Sequence, residues 1–192
     1  MPETRAPFGR TSAAMHVLAS LDKAAPRARL VVSSGPLTGD LSAMGDGPGR
    51  FYLQAPGLAL SLGLGVALAQ PSRRIVVLQT GPDLLMELGA CTGLRQLNRR
   101  NLWHVVFDVQ SAASAEGRTD LGTLLGACGY EAVSIFEGDD PQALRDAVAD
   151  LMSHPGPGAL VVACDGGLSS LSARPGPTAA ELSVRFREHG QA

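Results

Sequence analysis

The sequence predicts an α/β protein: a three-layer α/β/α sandwich around a mainly parallel central sheet. Short β-rich runs alternate with segments that hold the helical period along most of the chain. Short loops join them, and strands alternating with helices in this way give a parallel sheet covered on both faces. Residues 74–109 show the pattern most clearly: Ile75, Val76, Val77 and Leu78, then a helical segment over 84–97, then a second β-rich run over 102–109. Two such runs flanking one helix form a unit of a parallel sheet. Ligands of such sheets bind at the carboxyl ends of the strands, here the turn 79–83 and the loop that begins at Asp108.

In order, residues 1–10 read as a flexible terminus. Thr11 and Ser12 can cap a helix whose apolar stripe is Met15, Val17, Leu18 and Leu21, ending before Pro26. His16 lies among apolar neighbours and reads as an ordinary histidine. Residues 29–34 form a β-rich run, closed by Ser33, Ser34, Gly35 and Pro36. A short helix over 38–44, a Gly/Pro-rich loop over 45–50 and a short strand over 51–53 follow. The turn 54–57 opens a helix over 58–69. Glycine is costly inside a helix, so Gly63 and Gly65 imply close packing against the sheet or a partner.

Beyond the central unit, Asp120 opens a helix with Leu121, Leu124, Leu125 and Cys128 on one face and Gly129 as its stop. A strand over 132–136 precedes a helix begun by Asp139, Asp140 and Pro141, with Leu144, Val148, Leu151 and Met152 as its buried stripe. The last strand spans 159–164. The organisation is a flexible terminus over 1–10, one domain over 11–164, a Gly/Ser/Pro linker over 165–176 and a C-terminal helix over 177–192.

With 192 residues, one domain can bury a substantial core. Hydrophobic residues at 45% and charged ones at 18% place it among globular chains. A net charge of −2 gives no general footprint for nucleic acid, and 4% aromatics leave few platforms for base stacking. The apolar stretch 57–69 is too short to span a bilayer. Cys91, Cys128 and Cys164 are scattered and without metal-ligand spacing, which suggests buried, reduced thiols. Residues 1–10 have no apolar core of the secretory kind, so a cytoplasmic location is expected.

The central stretch carries a family resemblance. V-V-L-Q-T-G-P-D-L-L-M-E-L-G (76–89) resembles V-V-L-D-G-D-G-S-L-L-M-N-L-G of thiamine diphosphate enzymes. N-L-W-H-V-V-F-D-V (101–109) resembles their N-L-x-x-V-V-F-D-N. Residues 51–69, F-Y-L-Q-A-P-G-L-A-L-S-L-G-L-G-V-A-L-A, are similar to F-Y-x-x-G-S-M-G-x-A-x-S-x-G-L-G-x-A-L of the small-subunit sulfopyruvate and phosphonopyruvate decarboxylases. Residues 177–189 resemble the final P-x-x-E-I-x-x-R-F helix of those subunits. The resemblance implies the diphosphate-binding (PP) half of such an enzyme, with the same three-layer fold.

In that family this half holds the cofactor's diphosphate through Mg²⁺, which needs hard oxygen ligands in near-octahedral geometry. The register places the family's metal-binding Asp on Gly81 and its metal-binding Asn on Val109, so both side-chain ligands are absent. Pro82 removes an amide donor where the family has glycine. The family's bulky side chain beneath the cofactor falls on Pro56. The positions equivalent to the family's site are thus Pro56, Gly57, Thr80, Gly81, Pro82, Asp83, Asp108 and Val109, in degraded form. Asp83 reads as an N-terminal helix cap, and with Asp108 it is a weak candidate for a relocated metal ligand. A backbone carbonyl near Ser111 is a further candidate.

No catalytic residue is expected in this chain. The glutamate that activates the cofactor belongs to the family's pyrimidine-binding (PYR) half, which a single domain of this size lacks. The expected partner is a PYR-half subunit or a second copy of the chain. Two readings follow: a non-catalytic or repurposed subunit without confident cofactor, or a working beta subunit of a sulfopyruvate- or phosphonopyruvate-type decarboxylase, using thiamine diphosphate and Mg²⁺ in an atypical site. A thiol enzyme using Cys91 or Cys128 is a weaker third, because neither has a histidine at motif spacing.

Overall fold

The structure is a computed structural model and describes residues 8–109, 119–165 and 177–188. Its strands are β1 (Phe8–Gly9), β2 (Arg29–Val32), β3 (Arg50–Tyr52), β4 (Ile75–Thr80), β5 (Leu102–Asp108), β6 (Ala132–Phe136) and β7 (Gly158–Asp165). Its helices are α1 (Arg10–Ala24), α2 (Pro36–Ala43), α3 (Ala59–Ala69), α4 (Gly81–Met86), α5 (Leu88–Leu97), α6 (Leu121–Cys128), α7 (Pro141–Ser153) and α8 (Ala179–Glu188). The sheet order is β1-β7-β5-β4-β2-β3, and β6 also pairs with β7. Every pairing is parallel.

Alternate side chains of the inner strands feed two separate cores. Val76, Leu78, Trp103, Val105 and Phe107 join residues of α1, α2 and α7 on one face. Ile75, Val77, Leu102 and Val106 join α3, α5 and α6 on the other. A strand buried on both faces reads as a continuous apolar run, which is why β4 and β5 stand out in the sequence. Helix α8 lies against β3 and sends Leu182 into the first core and Phe186 into the second, covering that edge of the sheet.

The connections from β2 and β4 leave toward opposite faces, through α2 and through α4–α5 respectively. These strands are neighbours in the sheet. Their carboxyl ends therefore border a topological switch point, where an open α/β sheet forms its ligand crevice.

Several expectations are corrected. The terminus is not loose over 8–10: Phe8 and Gly9 pair with Cys164 and Asp165, and Arg10 begins α1, buried and ion-paired to Asp40 at 2.9 Å. Residues 1–7 lie outside the described residues. Gly9, not Thr11 or Ser12, occupies the N-cap of α1. The turn over 79–83 is absent, because β4 continues through Thr80 and α4 starts at Gly81. The single helix over 84–97 is two helices, interrupted at Glu87 with φ −122° and ψ 31°. Asp165 closes β7 and does not begin a linker, while 166–176 lie outside the described residues. Close packing holds for Gly63, where an added Cβ would stand 2.4 Å from Val77 Cγ2, but not for Gly65, which has open space.

Candidate functional site

The crevice is walled by the segment before α3, the start of α4, the end of β5 and the start of α6. Asp83 lies in the first turn of α4, where the helix dipole favours a carboxylate. It does not cap its own helix. Its Oδ1 accepts a hydrogen bond from the Gly57 amide at 2.7 Å, so this buried side chain ties α4 to the segment before α3. Gly57 adopts φ +66°, a conformation that favours glycine, and a Cβ there would stand 3.1 Å from Met86 Cβ.

Glu87 makes a second tie. Its Oε1 accepts from the Leu60 amide at 2.8 Å, and its Oε2 accepts from the Ser61 amide at 3.1 Å and the Ser61 hydroxyl at 3.2 Å. Helix α3 has Leu58 as its N-cap, which offers no side-chain acceptor. Glu87 supplies that acceptor from across the crevice. Sequence reasoning missed this residue; the signal was a helix start with no capping side chain of its own.

Gly81 is buried, and the space beside it is filled. A Cβ built there would lie 2.9 Å from Leu121 Cδ1, 3.7 Å from Asp108 Oδ1 and 3.9 Å from the Phe107 carbonyl oxygen. The leucine that opens α6 thus projects to where a side chain at position 81 would begin. Val109 packs against the core of the opposite face. Pro56 and Pro82 are exposed, and Thr80 is half-buried at the N-cap of α4 without a side-chain cap bond. The structure therefore brings Gly57 to Asp83, and Gly81 to Asp108 and Leu121. Val109, Pro56 and Pro82 stay apart from these contacts. Ser111 lies outside the described residues.

These residues do not fit an Mg²⁺-bound diphosphate. The metal needs oxygen ligands, and at the two ligand positions the chain offers a glycine abutted by a leucine and a valine turned into the other core. Asp83 is occupied with the Gly57 amide through one oxygen. Among the described residues no group of three or more His, Cys, Asp or Glu is placed to share a metal ion.

A second polar cluster lies beneath α5 and α6. His104 on β5 is fully buried, and its Nδ1 is 2.5 Å from the Tyr130 hydroxyl. Burial pushes the His104 pKa down to about 3, which keeps the ring neutral, and burial pushes the Tyr130 phenol up. The Cys91 thiol is raised to about 12, by burial first and by neighbouring Cys128 second. Burial likewise raises the Cys164 thiol to about 12. A thiol held protonated this firmly is a poor nucleophile, which weighs against a thiol enzyme based on Cys91.

This open α/β fold matches that of a thiamin diphosphate-dependent neighbour. A solved structure from Mycobacterium smegmatis, assigned by its description to that class, superposes with a TM-score of 0.67 over 83% of this chain and 32% of its own, at 18% identity. That level of identity speaks for the fold alone.

The sequence comparisons are more particular. Phosphonopyruvate decarboxylase from Streptomyces viridochromogenes is 34% identical over 190 residues, covering 93% of this chain and 47% of the relative. Phosphonopyruvate decarboxylase from Streptomyces hygroscopicus is 31% identical over 194 residues, covering 97% and 47%. The sulfopyruvate decarboxylase subunit beta of Methanothermobacter thermautotrophicus is 33% identical over 101 residues, covering 49% and 54%. The chain is a homologue of these decarboxylases, as its motifs indicate, and it spans about half the length of the curated relatives it matches. No protein-family model matches it.

Proposed function

We propose that this chain is the PP-type half of a cytoplasmic 2-oxoacid decarboxylase-like complex, that it has lost the Mg²⁺-diphosphate site, and that it acts as a non-catalytic or repurposed subunit beside a PYR-half partner. The observation that carries this reading is the contact at Gly81. A lost ligand could be drift, but the end of the Leu121 side chain lies 2.9 Å from where a Cβ at position 81 would stand, so the space beside Gly81 is already apolar and occupied. Asp83 and Glu87 reinforce it, since their carboxylates bind the backbone of the facing segment, and a carboxylate at a helix start repels a diphosphate.

The partner is supported by two facts. One of the curated relatives is named as a subunit. Leu58 and Met86 are exposed next to each other, Met86 lying against Gly57 and 65% exposed. Such clustered apolar exposure marks surfaces that are covered in an assembly.

The second reading is a working beta subunit of a sulfopyruvate- or phosphonopyruvate-type decarboxylase whose site is completed by the partner. It is favoured by one observation: Asp83 Oδ2 is buried with no hydrogen-bond partner, so one acceptor remains at the crevice. Co-expression with a PYR-half homologue decides between the two. The non-catalytic reading expects co-purification, loss of the complex in the Leu58→Glu/Met86→Glu variant, and no release of CO₂ from 2-oxo acids. CO₂ release that depends on Asp83 would establish the second reading, and a monomer that binds no PYR-half chain would remove both.

A further inference from the structure

The opposite edge of the sheet carries a feature that the decarboxylase reading does not use. The connections leading into β2, β4 and β5 (25–28, 70–74 and 98–101) contain Arg27, Arg73, Arg74, Arg99 and Arg100 and no acidic residue. The chain as a whole is slightly acidic, at −2, so this basic edge is a local asymmetry.

A cleft of about 640 Å³ opens there, lined by Arg27, Ser72, Arg73 and Arg74 together with Ala24–Pro26 and Ala28. Neither Arg27 nor Arg73 has an acidic partner among the described residues. Arg74 is committed elsewhere: it donates to the Ala24 carbonyl at 3.5 Å and stands 5.6 Å from the Trp103 ring centroid.

Arg29, the first residue of β2 and next in sequence to the cleft's Ala28, is 1% exposed. Its guanidinium lies 4.3 Å from the Phe186 ring centroid, and its Nε and Nη2 have no hydrogen-bond partner. Burial, and after it the nearby charge of Arg73, lower the Arg29 pKa. A buried cation with unpartnered N–H groups beside a second cation adds to the positive potential at this edge.

We propose that this cleft binds a small, multiply charged oxyanion of the phosphate class, clamped by Arg27 and Arg73 with the Ser72 hydroxyl as a further donor. Guanidinium groups bind phosphate oxygens in a bidentate fork, and the free positive charge of Arg29 deepens the potential that the anion meets. The volume of this open cleft falls within the roughly 300–1,000 Å³ of small-molecule sites, and its paired guanidinium groups suit a phosphate-bearing small molecule. The inference is independent of the decarboxylase-like reading.

The test is calorimetric titration of the full chain with pyrophosphate and, separately, with ADP, at about 50 and about 300 mM NaCl. Binding is expected at the lower salt, weakened at the higher, with a matching rise in Tm. The Arg27→Gln/Arg73→Gln variant, unchanged in circular dichroism, is expected to lose about tenfold or more in affinity. Equal affinity for the two probes assigns recognition to the phosphates alone, and tighter ADP binding assigns it to a nucleotide; both support the site. Absence of binding at millimolar probe, or affinity unchanged in the double variant, overturns it. Should the variant misfold, wild-type binding that is indifferent to NaCl overturns it equally.

Discussion

Gly81 and Leu121 act as one unit. Gly81→Asp, the acid that the family resemblance places there, puts a Cβ 2.9 Å from Leu121 Cδ1 and a second carboxylate beside Asp108 in a buried position, so the variant should lose about 1–3 kcal/mol of stability in urea unfolding. The same change made in a Leu121→Ala background should cost less, with a coupling of about 0.5–3 kcal/mol in the double-mutant cycle. Independent costs would mean that the leucine does not fill the position. His104 gives a second residue-scale test. Its pKa is about 3 in the folded chain and about 6.5 when unfolded, so between these values the unfolded state holds more protons. Folding stability should therefore decline as pH falls from about 6.5 toward 3. The His104→Leu/Tyr130→Phe pair, which removes both members of the buried contact, should lose that part of the pH slope. That Gly81 and Val109 stand where the family resemblance expects ligands was legible as letters. Leu121 was not, because forty residues separate it from Gly81 and only the fold makes them neighbours.

Helices α3, α4 and α5 depend on one another through two carboxylates. Glu87→Ala removes the acceptor for the amides of Leu60 and Ser61, and should cost about 1–3 kcal/mol in chemical denaturation, while Glu87→Gln should retain part of the cap. An alanine variant as stable as the parent would show that water serves those amides as well. The same interaction explains why 84–97 reads as one helix and folds as two. The apolar period runs through Glu87 unbroken, and the break comes from a tertiary bond that periodicity does not encode. The long inner strands were legible because both of their faces are apolar. Strand β1, two residues long in a polar segment, gave no periodic signal, and only its pairing with Cys164 and Asp165 reveals it.

At the scale of the whole molecule, the parallel sheet and its switch point follow the fold of the thiamin diphosphate-dependent neighbour. The alternation of strand and helix specifies the layers, so the fold was readable from the chain alone. The destinations of Asp83 and Glu87 were not, since each depends on a segment roughly 26 residues upstream that approaches only in three dimensions. On the proposed reading, the domain is set apart by Leu121 beside Gly81 and by two carboxylates, Asp83 and Glu87, bound to the backbone of the segment that opens α3. The most direct measurement is isothermal titration of thiamine diphosphate with Mg²⁺ into the full chain, alone and then with any co-purifying partner. No Mg²⁺-dependent binding is predicted in either preparation. Tight, metal-dependent binding would contradict the account and move the ligands to Asp83, Asp108 or the partner.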